Sequence, residues 1–203
     1  MKVKLLFLIC MIAGFSLTAQ TNWILKKQKD GISVYSRPSE TSSFDDLKVE
    51  VDLKGTLEQL ASILLNIPNY TQWAYGTKIS KVVKRTNENE LIYYCEIEVP
   101  WPASNRDLYA DLKVTRDSSG NSLQVVAVAK KDYLPVKDGL VRVPKSTGKW
   151  IATKVTPRTV HLVYTLELDP GGSVPAFVTN LFMTKGPLET FENLKKKMEG
   201  LNK

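Results

Sequence analysis

Apolar and polar side chains alternate with a period of two along most of the chain between residues 76 and 168. This period places the apolar side chains on one face of an extended strand. It predicts strands at 78–86, 90–99, 106–116, 122–130, 140–143, 147–155 and 158–168. Polar turn sequences at 87–89 and 118–121 join neighbouring strands and predict β-hairpins. A series of hairpins forms an antiparallel sheet, and the apolar face of this sheet needs a cover.

The chain before residue 76 combines further strands with helical segments. The pattern predicts a short helix at 23–29, a turn at Asp30-Gly31, strands at 32–37 and 44–54, and a helix from residue 57. Thr56 and Gln59 match a capping box, in which both side chains satisfy free backbone donors at the start of a helix. The apolar residues that follow at helical spacing are Leu57, Leu60, Ala61, Leu64 and Leu65. Pro68 begins a short helical turn that carries Tyr70 and Trp73.

Helical spacing returns after residue 172. Ser173 is expected to cap this last helix, Pro175 to lie in its first turn, and Pro187 to kink it. Its apolar residues are Val174, Phe177, Val178, Leu181, Phe182, Leu188, Phe191, Leu194 and Met198. One long helix lying across a curved antiparallel sheet is an α+β arrangement. The concave space between them is either packed solid or holds a ligand.

The first 19 residues have the pattern of a secretory signal peptide. Lys2 and Lys4 precede an apolar run over 5–14, and small residues lead to Ala19. The run is shorter than the roughly 20 residues that a membrane-spanning helix needs. We expect residues 20–203 to form one exported domain, either periplasmic or extracellular. Because Cys10 lies in the leader, Cys95 is the only cysteine of this domain, which excludes an internal disulfide.

The sequence shows none of the residue arrangements that are typical of catalytic or metal sites. His161 is the only histidine, and no Cys, His and Asp cluster has metal-ligand spacing. The pair Gly171-Gly172 lacks the other glycines of a dinucleotide-binding loop. We therefore predict no metal and no cofactor, and we expect the acid pairs Asp45-Asp46 and Glu96/Glu98 on solvent-facing surfaces.

The net charge of +7 does not indicate nucleic-acid binding. The lysines are scattered, with one run at 195–197, and an exported protein seldom meets nucleic acid. The run is explained by a solvent-exposed helix C-terminus, where positive side chains interact favourably with the helix dipole.

Several segments together resemble the START family of lipid-transfer domains. They are residues 100–107 (PWPASNRD), 139–142 (GLVR), 148–150 (GKW), 163–164 (VY) and 169–175 (DPGGSVP), with Trp73 after the first helices. They occur in the order of the family and cover about residues 22–200. The resemblance implies a helix-grip fold of the START/Bet v 1 type, in which a curved antiparallel sheet wraps around a long C-terminal helix. It also implies an internal apolar cavity for a sterol, phospholipid or similar lipid, and no cofactor.

Strand alternation and the last helix give a set of side chains expected to contact the ligand. They are Tyr93, Cys95, Ile97, Arg106, Leu112, Arg142, Tyr164, Phe177, Leu181, Phe182 and Phe191. Small residues at 110, 127 and 129 suggest space inside, although the same rows could pack solidly against the helix. Arg106, Asp107 and Arg142 are either polar anchors for a ligand or members of structural ion pairs, because a buried charge needs a partner.

Three functions stay open at this point. The first is lipid binding and carriage by a monomer, with transient membrane contact. The second is a cyclase or hydrolase on the same fold, with Tyr93, Tyr164 or Asp111 as acid or base. The third is a groove for a partner peptide.

The pairs Gly171-Gly172 and Gly186-Pro187 are candidate hinges that would let the last helix act as a gate. Lys185, Lys195, Lys196 and Lys197 are candidates for holding that gate near an anionic membrane.

The mature protein is expected to begin at Gln20. Intact mass and N-terminal sequencing of the exported protein check this prediction. A mature chain that still carries residues 1–19, or a lipid attached to Cys10, contradicts it.

Overall fold

Ten strands form one sheet in the part of the chain that the structure, a computed structural model, describes, residues 22–201. The predicted signal peptide, residues 1–19, and its predicted cleavage site lie outside these residues. The strands are β1 (Ile24–Lys29), β2 (Ile32–Arg37), β3 (Asp46–Lys54), β4 (Thr77–Asn87), β5 (Glu90–Ile97), β6 (Asn105–Arg116), β7 (Ser122–Ala129), β8 (Leu140–Arg142), β9 (Lys145–Thr156) and β10 (Thr159–Asp169). The order across the sheet is β1-β2-β3-β10-β9-β7-β6-β5-β4, and all these neighbours are antiparallel. The predicted α+β helix-grip fold is confirmed, and nine strands were predicted to within two residues at each end.

Strand β8 pairs in parallel with the start of β6, which the sequence pattern did not predict. The short strand brings Arg142 opposite Asp107. This pairing matters for the site described below.

The segment predicted as a short helix at 23–29 is instead the edge strand β1. Asp30 and Gly31 both have positive φ, at 50° and 76°, which is the backbone of a tight hairpin turn. The turn pairs β1 with β2, so hairpin geometry decides the structure of this segment. The prediction was wrong because β1 is exposed along its whole length and carries no core-facing pattern.

Helix α1 (Leu57–Leu65) begins with the predicted capping box. The backbone N–H of Gln59 donates to Thr56 Oγ1 at 3.2 Å, and the backbone N–H of Thr56 donates to Gln59 Oε1 at 2.9 Å. A 3-10 helix (Ile67–Gln72) follows it.

The C-terminal helix, defined here as residues 176–200, has three parts. They are α2 (Ala176–Asn180), a π-helical turn (Leu181–Lys185) and α3 (Gly186–Gly200). The predicted cap at Ser173 is wrong, because the helix starts after Pro175, whose extended backbone forms the N-cap. A kink was expected at Pro187, which has no amide hydrogen to donate to the preceding turn. The irregular part of the helix is the π-helical turn just before this proline. Within residues 22–201, no helix is both long enough and apolar enough to cross a bilayer.

The antiparallel register sorts the connections into two ends of the sheet. The loop end holds the segments 38–45, 98–104, 130–139 and 170–175. The hairpin end holds the turns at 30–31, 88–89, 117–121 and 157–158. The C-terminal helix starts at the loop end and finishes at the hairpin end, where Lys195 Nζ donates to the Asp30 carbonyl at 2.6 Å.

The hydrophobic core is solid in the half of the interior near the hairpin end. Fully or almost fully buried residues from the sheet, α1 and α3 meet there, namely Leu60, Leu64, Leu123, Val125, Val160, Leu162, Leu194 and Met198.

Two acidic residues expected in solvent are buried. Asp46 pairs with Arg37 at 3.0 Å, and Glu96 lies 3.6 Å from Lys78. The prediction was wrong because neighbouring basic side chains cover both carboxylates. Neither residue lines the cavity described next.

Candidate functional site

The half of the interior near the loop end encloses a cavity of about 300 Å³. On β10, Val160 and Leu162 are buried in the core, whereas Leu166 and Leu168, on the same face, are only half-buried and line the cavity. Small residues leave the space open, since Ala110, Ala127 and Gly148 all line it. The interior is therefore packed at one end and hollow at the other.

Six aromatic rings lie where the packed and hollow halves meet. They are Tyr70, Trp73, Tyr93, Trp150, Tyr164 and Phe191, and all line the cavity. Neighbouring rings are in contact, with centroids 4.3 Å apart for Trp150 and Tyr164 and 4.9 Å apart for Tyr70 and Trp73. Such contacts hold large apolar side chains in fixed positions.

The polar groups of this aromatic cluster are neutral. Burial raises the pKa of the Tyr70, Tyr93 and Tyr164 hydroxyls above the usual value. The Tyr70 hydroxyl donates to the Leu64 carbonyl at 2.5 Å. The buried Trp73 indole N–H has no hydrogen-bond partner among the described residues. These groups suit an apolar ligand with few hydrogen bonds and do not supply an ionised base at neutral pH.

Seven of the eleven residues predicted from sequence to contact a ligand line the cavity. They are Tyr93, Ile97, Arg106, Leu112, Tyr164, Phe182 and Phe191. Contact of these residues with a ligand stays a prediction, but the fold brings them around one space.

The other four predicted residues do not line the cavity. Cys95 faces inward but packs into the core, where burial raises the pKa of its thiol to about 12. Phe177 is 52% exposed, because α2 turns it outward. Leu181 is half-buried outside the lining, and Arg142 points to the outer face of the sheet.

Alternation along β6 explains why Arg106 and Asp107 have different environments. Arg106, Leu108 and Ala110 face the cavity, and Asp107 faces the opposite side of the sheet. Arg106 is 4% exposed. Its Nη1 donates to the Ser104 carbonyl, and its Nη2 approaches the carbonyls of the loop after β10, Gly171 at 3.5 Å and Ser173 at 3.3 Å.

Asp107 is bound by Arg142 in a bidentate ion pair. The Nε–Oδ1 and Nη2–Oδ2 distances are 2.7 and 3.0 Å, and the Asp107 side chain is fully buried. The ion pair raises the pKa of Arg142, chiefly through the hydrogen bond to Asp107. Arg142 Nη1 also donates to the carbonyls of Lys131 and Leu134, at 2.7 and 2.9 Å. Arg142 is thus a structural ion-pair partner that also fixes the 130–139 loop. This is the second of the two roles that the sequence left open, the first being an anchor for a ligand.

Gly171 lets two segments approach each other at the loop end. Its φ is +69°, and a Cβ built there would lie 2.9 Å from the Arg142 carbonyl oxygen. Only glycine fits this position without a shift of the backbone.

Several cavity residues were missed by the sequence prediction, among them Phe44, Tyr75, Trp150 and Thr190. Trp150 could have been found, because it alternates in step with the buried Ala152 on β9. Tyr75 and Thr190 lie outside strands and meet through a long-range bond, in which the Tyr75 amide donates to Thr190 Oγ1 at 3.0 Å. No local pattern predicts that contact.

The described residues contain no group of three or more His, Cys, Asp or Glu side chains that could hold a metal ion. His161 lies on β10 with its Nδ1 2.8 Å from Asp52 Oδ1, partly exposed and away from the cavity. Asp111, an acid considered for catalysis, lies 3.9 Å from Lys130 and does not line the cavity.

Comparisons with known proteins agree with this architecture. The model of the START domain family matches residues 16–203. The chain is 26% identical over 188 residues to the uncharacterized protein PA1579 of Pseudomonas aeruginosa, covering 93% of this chain and 91% of that protein. It is 26% identical over 163 residues to the phosphatidylcholine transfer protein of Bos taurus, covering 78% of this chain and 75% of that protein. The crystal structure of a STAR-related lipid transfer protein fragment from Xanthomonas axonopodis matches with a TM-score of 0.79 and 29% identity, covering 87% of this chain and 98% of that one.

The fold and the half-hollow interior define a helix-grip protein with an internal, mostly apolar site. This chain belongs to the START domain family. Its relatives include proteins named for lipid transfer.

The substitution Asp107→Asn is expected to lower the free energy of unfolding by about 3–5 kcal/mol, because it leaves the Arg142 charge buried without its partner. Chemical denaturation monitored by circular dichroism measures the change. The matched control is Glu58→Gln, which breaks the exposed pair with Arg116 (2.9 Å) and should cost about 1 kcal/mol or less. Equal losses in the two variants would contradict a structural role for the Asp107–Arg142 pair.

Proposed function

We propose that this protein binds a single lipid molecule in the cavity and carries it between membranes. The observation that carries the proposal is the hollow half of the interior, which is lined almost wholly by apolar and aromatic side chains. Its volume of about 300 Å³ lies at the lower end of the range for pockets that bury small ligands, roughly 300–1,000 Å³. The named lipid-transfer relatives support the same function.

The chemistry of the lining supports carriage over catalysis. Two of the three candidate acids or bases, Tyr93 and Tyr164, line the cavity, but burial raises their pKa and keeps them protonated. The third, Asp111, lies outside the lining. A general base needs a deprotonated group within reach of the reacting atom.

The loop end is the proposed site of membrane contact. The 98–104 loop exposes Trp101 (88% exposed), the 130–139 loop exposes Leu134 and Val136, and α2 exposes Phe177. Transfer of large apolar side chains from water to the membrane interface is favourable, and tryptophan is enriched in that region. The 98–104 loop and α2 also contribute Val99 and Val178 to the cavity lining, which gives a lipid a short path between the bilayer and the interior.

This proposal revises the role first considered for the lysine run at 195–197. Those residues lie at the hairpin end, where Lys195 bonds to the β1–β2 turn and Lys197 Nζ donates to Gln72 Oε1 at 2.8 Å. The part of the C-terminal helix next to the cavity is the opposite one, around Val178 and Phe182. We therefore propose that a gate for the ligand opens at the π-helical turn and the 170–175 loop.

The site of action that we propose is outside the cytoplasm. The leader pattern of residues 1–19 supports export, and a monomer is the form that we expect.

Filling the cavity should abolish lipid binding without unfolding the protein. The substitution Ala127→Phe places a ring in the hollow half, and the affinity for a fluorescent fatty acid should fall at least about tenfold, or ~1.4 kcal/mol. Val128→Phe is the matched control, because the neighbouring residue on β7 is 44% exposed on the outer face. Binding is measured by fluorescence titration, with a chelator present in parallel samples. Unchanged affinity in Ala127→Phe, or loss of binding with the chelator, contradicts the proposed site.

Removing the exposed indole at the loop end should slow lipid delivery. With Trp101→Ser, transfer of a fluorescent fatty acid to phosphatidylcholine vesicles is expected to slow severalfold, while equilibrium binding in solution stays the same. Val155→Ser is the control, since Val155 is 60% exposed near the hairpin end. Stopped-flow fluorescence gives both transfer rates. Equal slowing by the two substitutions, or none by Trp101→Ser, would rule out membrane contact through Trp101.

A further inference from the structure

Arg106 is the only charged side chain among the described residues that line the cavity. The other lining residues are apolar or neutral, and no Asp, Glu, Lys or His of residues 22–201 borders the space. A guanidinium stays protonated in proteins, so the cavity contains a permanent positive charge.

This charge has no acidic partner in the part of the chain that the structure describes. Within residues 22–201, no carboxylate oxygen lies within 4 Å of the Arg106 guanidinium. The adjacent acid, Asp107, faces the other side of the sheet and is fully used by Arg142. Burial lowers the pKa of Arg106, with no acidic neighbour to raise it. The usual rule that buried charges are paired is therefore not met by the protein alone.

The hydrogen bonds of Arg106 leave donor capacity toward a ligand. Among the described residues only backbone carbonyls accept from it, those of Ser104, Gly171 and Ser173, and the two contacts of Nη2 are long. Its Nε–H donates to none of the described residues. A guanidinium has five N–H donors in a planar fork, which matches the oxygens of a carboxylate or a phosphate.

We infer that the ligand is an acidic lipid, whose carboxylate or phosphate oxygens pair with Arg106 while its hydrocarbon chain lies in the apolar part of the cavity. This inference rests on the proposed function and names the chemical class of the ligand. The side chain lies at the loop end, where the 98–104 and 170–175 segments meet, so the acidic head group would be held beside the proposed path to the membrane.

The test compares lipids that differ only in the charged head group. Single-chain probes suit a cavity of this size. Oleate, oleoyl lysophosphatidate and the neutral oleyl alcohol are titrated into the protein of residues 20–203, and binding is followed by the fluorescence of Trp73 and Trp150, which line the cavity. We expect at least one acidic probe to bind about tenfold or more tightly than oleyl alcohol, because hydrogen bonds to charged groups are the stronger kind. The acidic probe with the higher affinity identifies the head group as carboxylate or phosphate.

Variants then assign the preference to one residue. Arg106→Met should remove the preference for the acidic probe and retain binding of oleyl alcohol, and Arg106→Lys should retain part of the preference. Arg116→Met is the control, because Arg116 lies on the same strand but pairs with Glu58 at the surface. The wild-type comparison needs no variant, so the test does not depend on the folding of Arg106→Met.

The possible failures are distinguishable. Equal affinity of the wild-type protein for the acidic and neutral probes overturns the inference about Arg106 and leaves lipid binding intact. A preference that survives in Arg106→Met also overturns it. If no probe binds, both the inference and the proposed function are wrong.

Discussion

The structure depends on the need to cover the apolar inner face of a long, curved sheet. The C-terminal helix and α1 provide the cover, and near the hairpin end they fill the interior with Leu194, Met198 and the residues packed on them. Toward the loop end the inner face continues through Leu166 and Leu168, but the small residues Ala110, Ala127 and Gly148 leave part of the space unfilled. An apolar ligand that covers this half-buried apolar surface removes it from water, which lowers the free energy. The cavity is thus a direct consequence of how far the sheet extends beyond its solid core.

A second interaction keeps the loop end in place around that space. The Asp107–Arg142 pair joins β6 to β8, and the remaining donors of Arg142 bind carbonyls of the 130–139 loop. A buried ion pair is not in itself a strong source of stability, but breaking one is costly, so it favours a single arrangement of the segments it joins. Arg106, one residue away on the opposite face, lacks such a partner and leaves its charge available to the cavity. Alternation along one strand therefore separates a structural charge from a charge that a ligand can use.

Sequence pattern predicted most of the fold because strand alternation and capping are local. It failed for β1, whose exposed residues carry no inner and outer face and whose pairing follows from the turn at Asp30 and Gly31. For the cavity, alternation gave the face of each strand residue but not its depth, so Cys95 and Tyr93 looked equivalent although only Tyr93 lines the space. The partner of Arg142 depends on a parallel contact between segments 35 residues apart, which no local pattern reports.

Native mass spectrometry of the mature protein, before and after incubation with lipid vesicles, tests the central claim most directly. The account predicts a population heavier than the chain by the mass of one lipid molecule, and predicts that Ala127→Phe shows no such population while Val128→Phe does. Lipid extraction and tandem mass spectrometry then identify the bound molecule. A wild-type chain that carries no additional mass in either sample, or a lipid retained equally by Ala127→Phe, would contradict a lipid site inside the sheet.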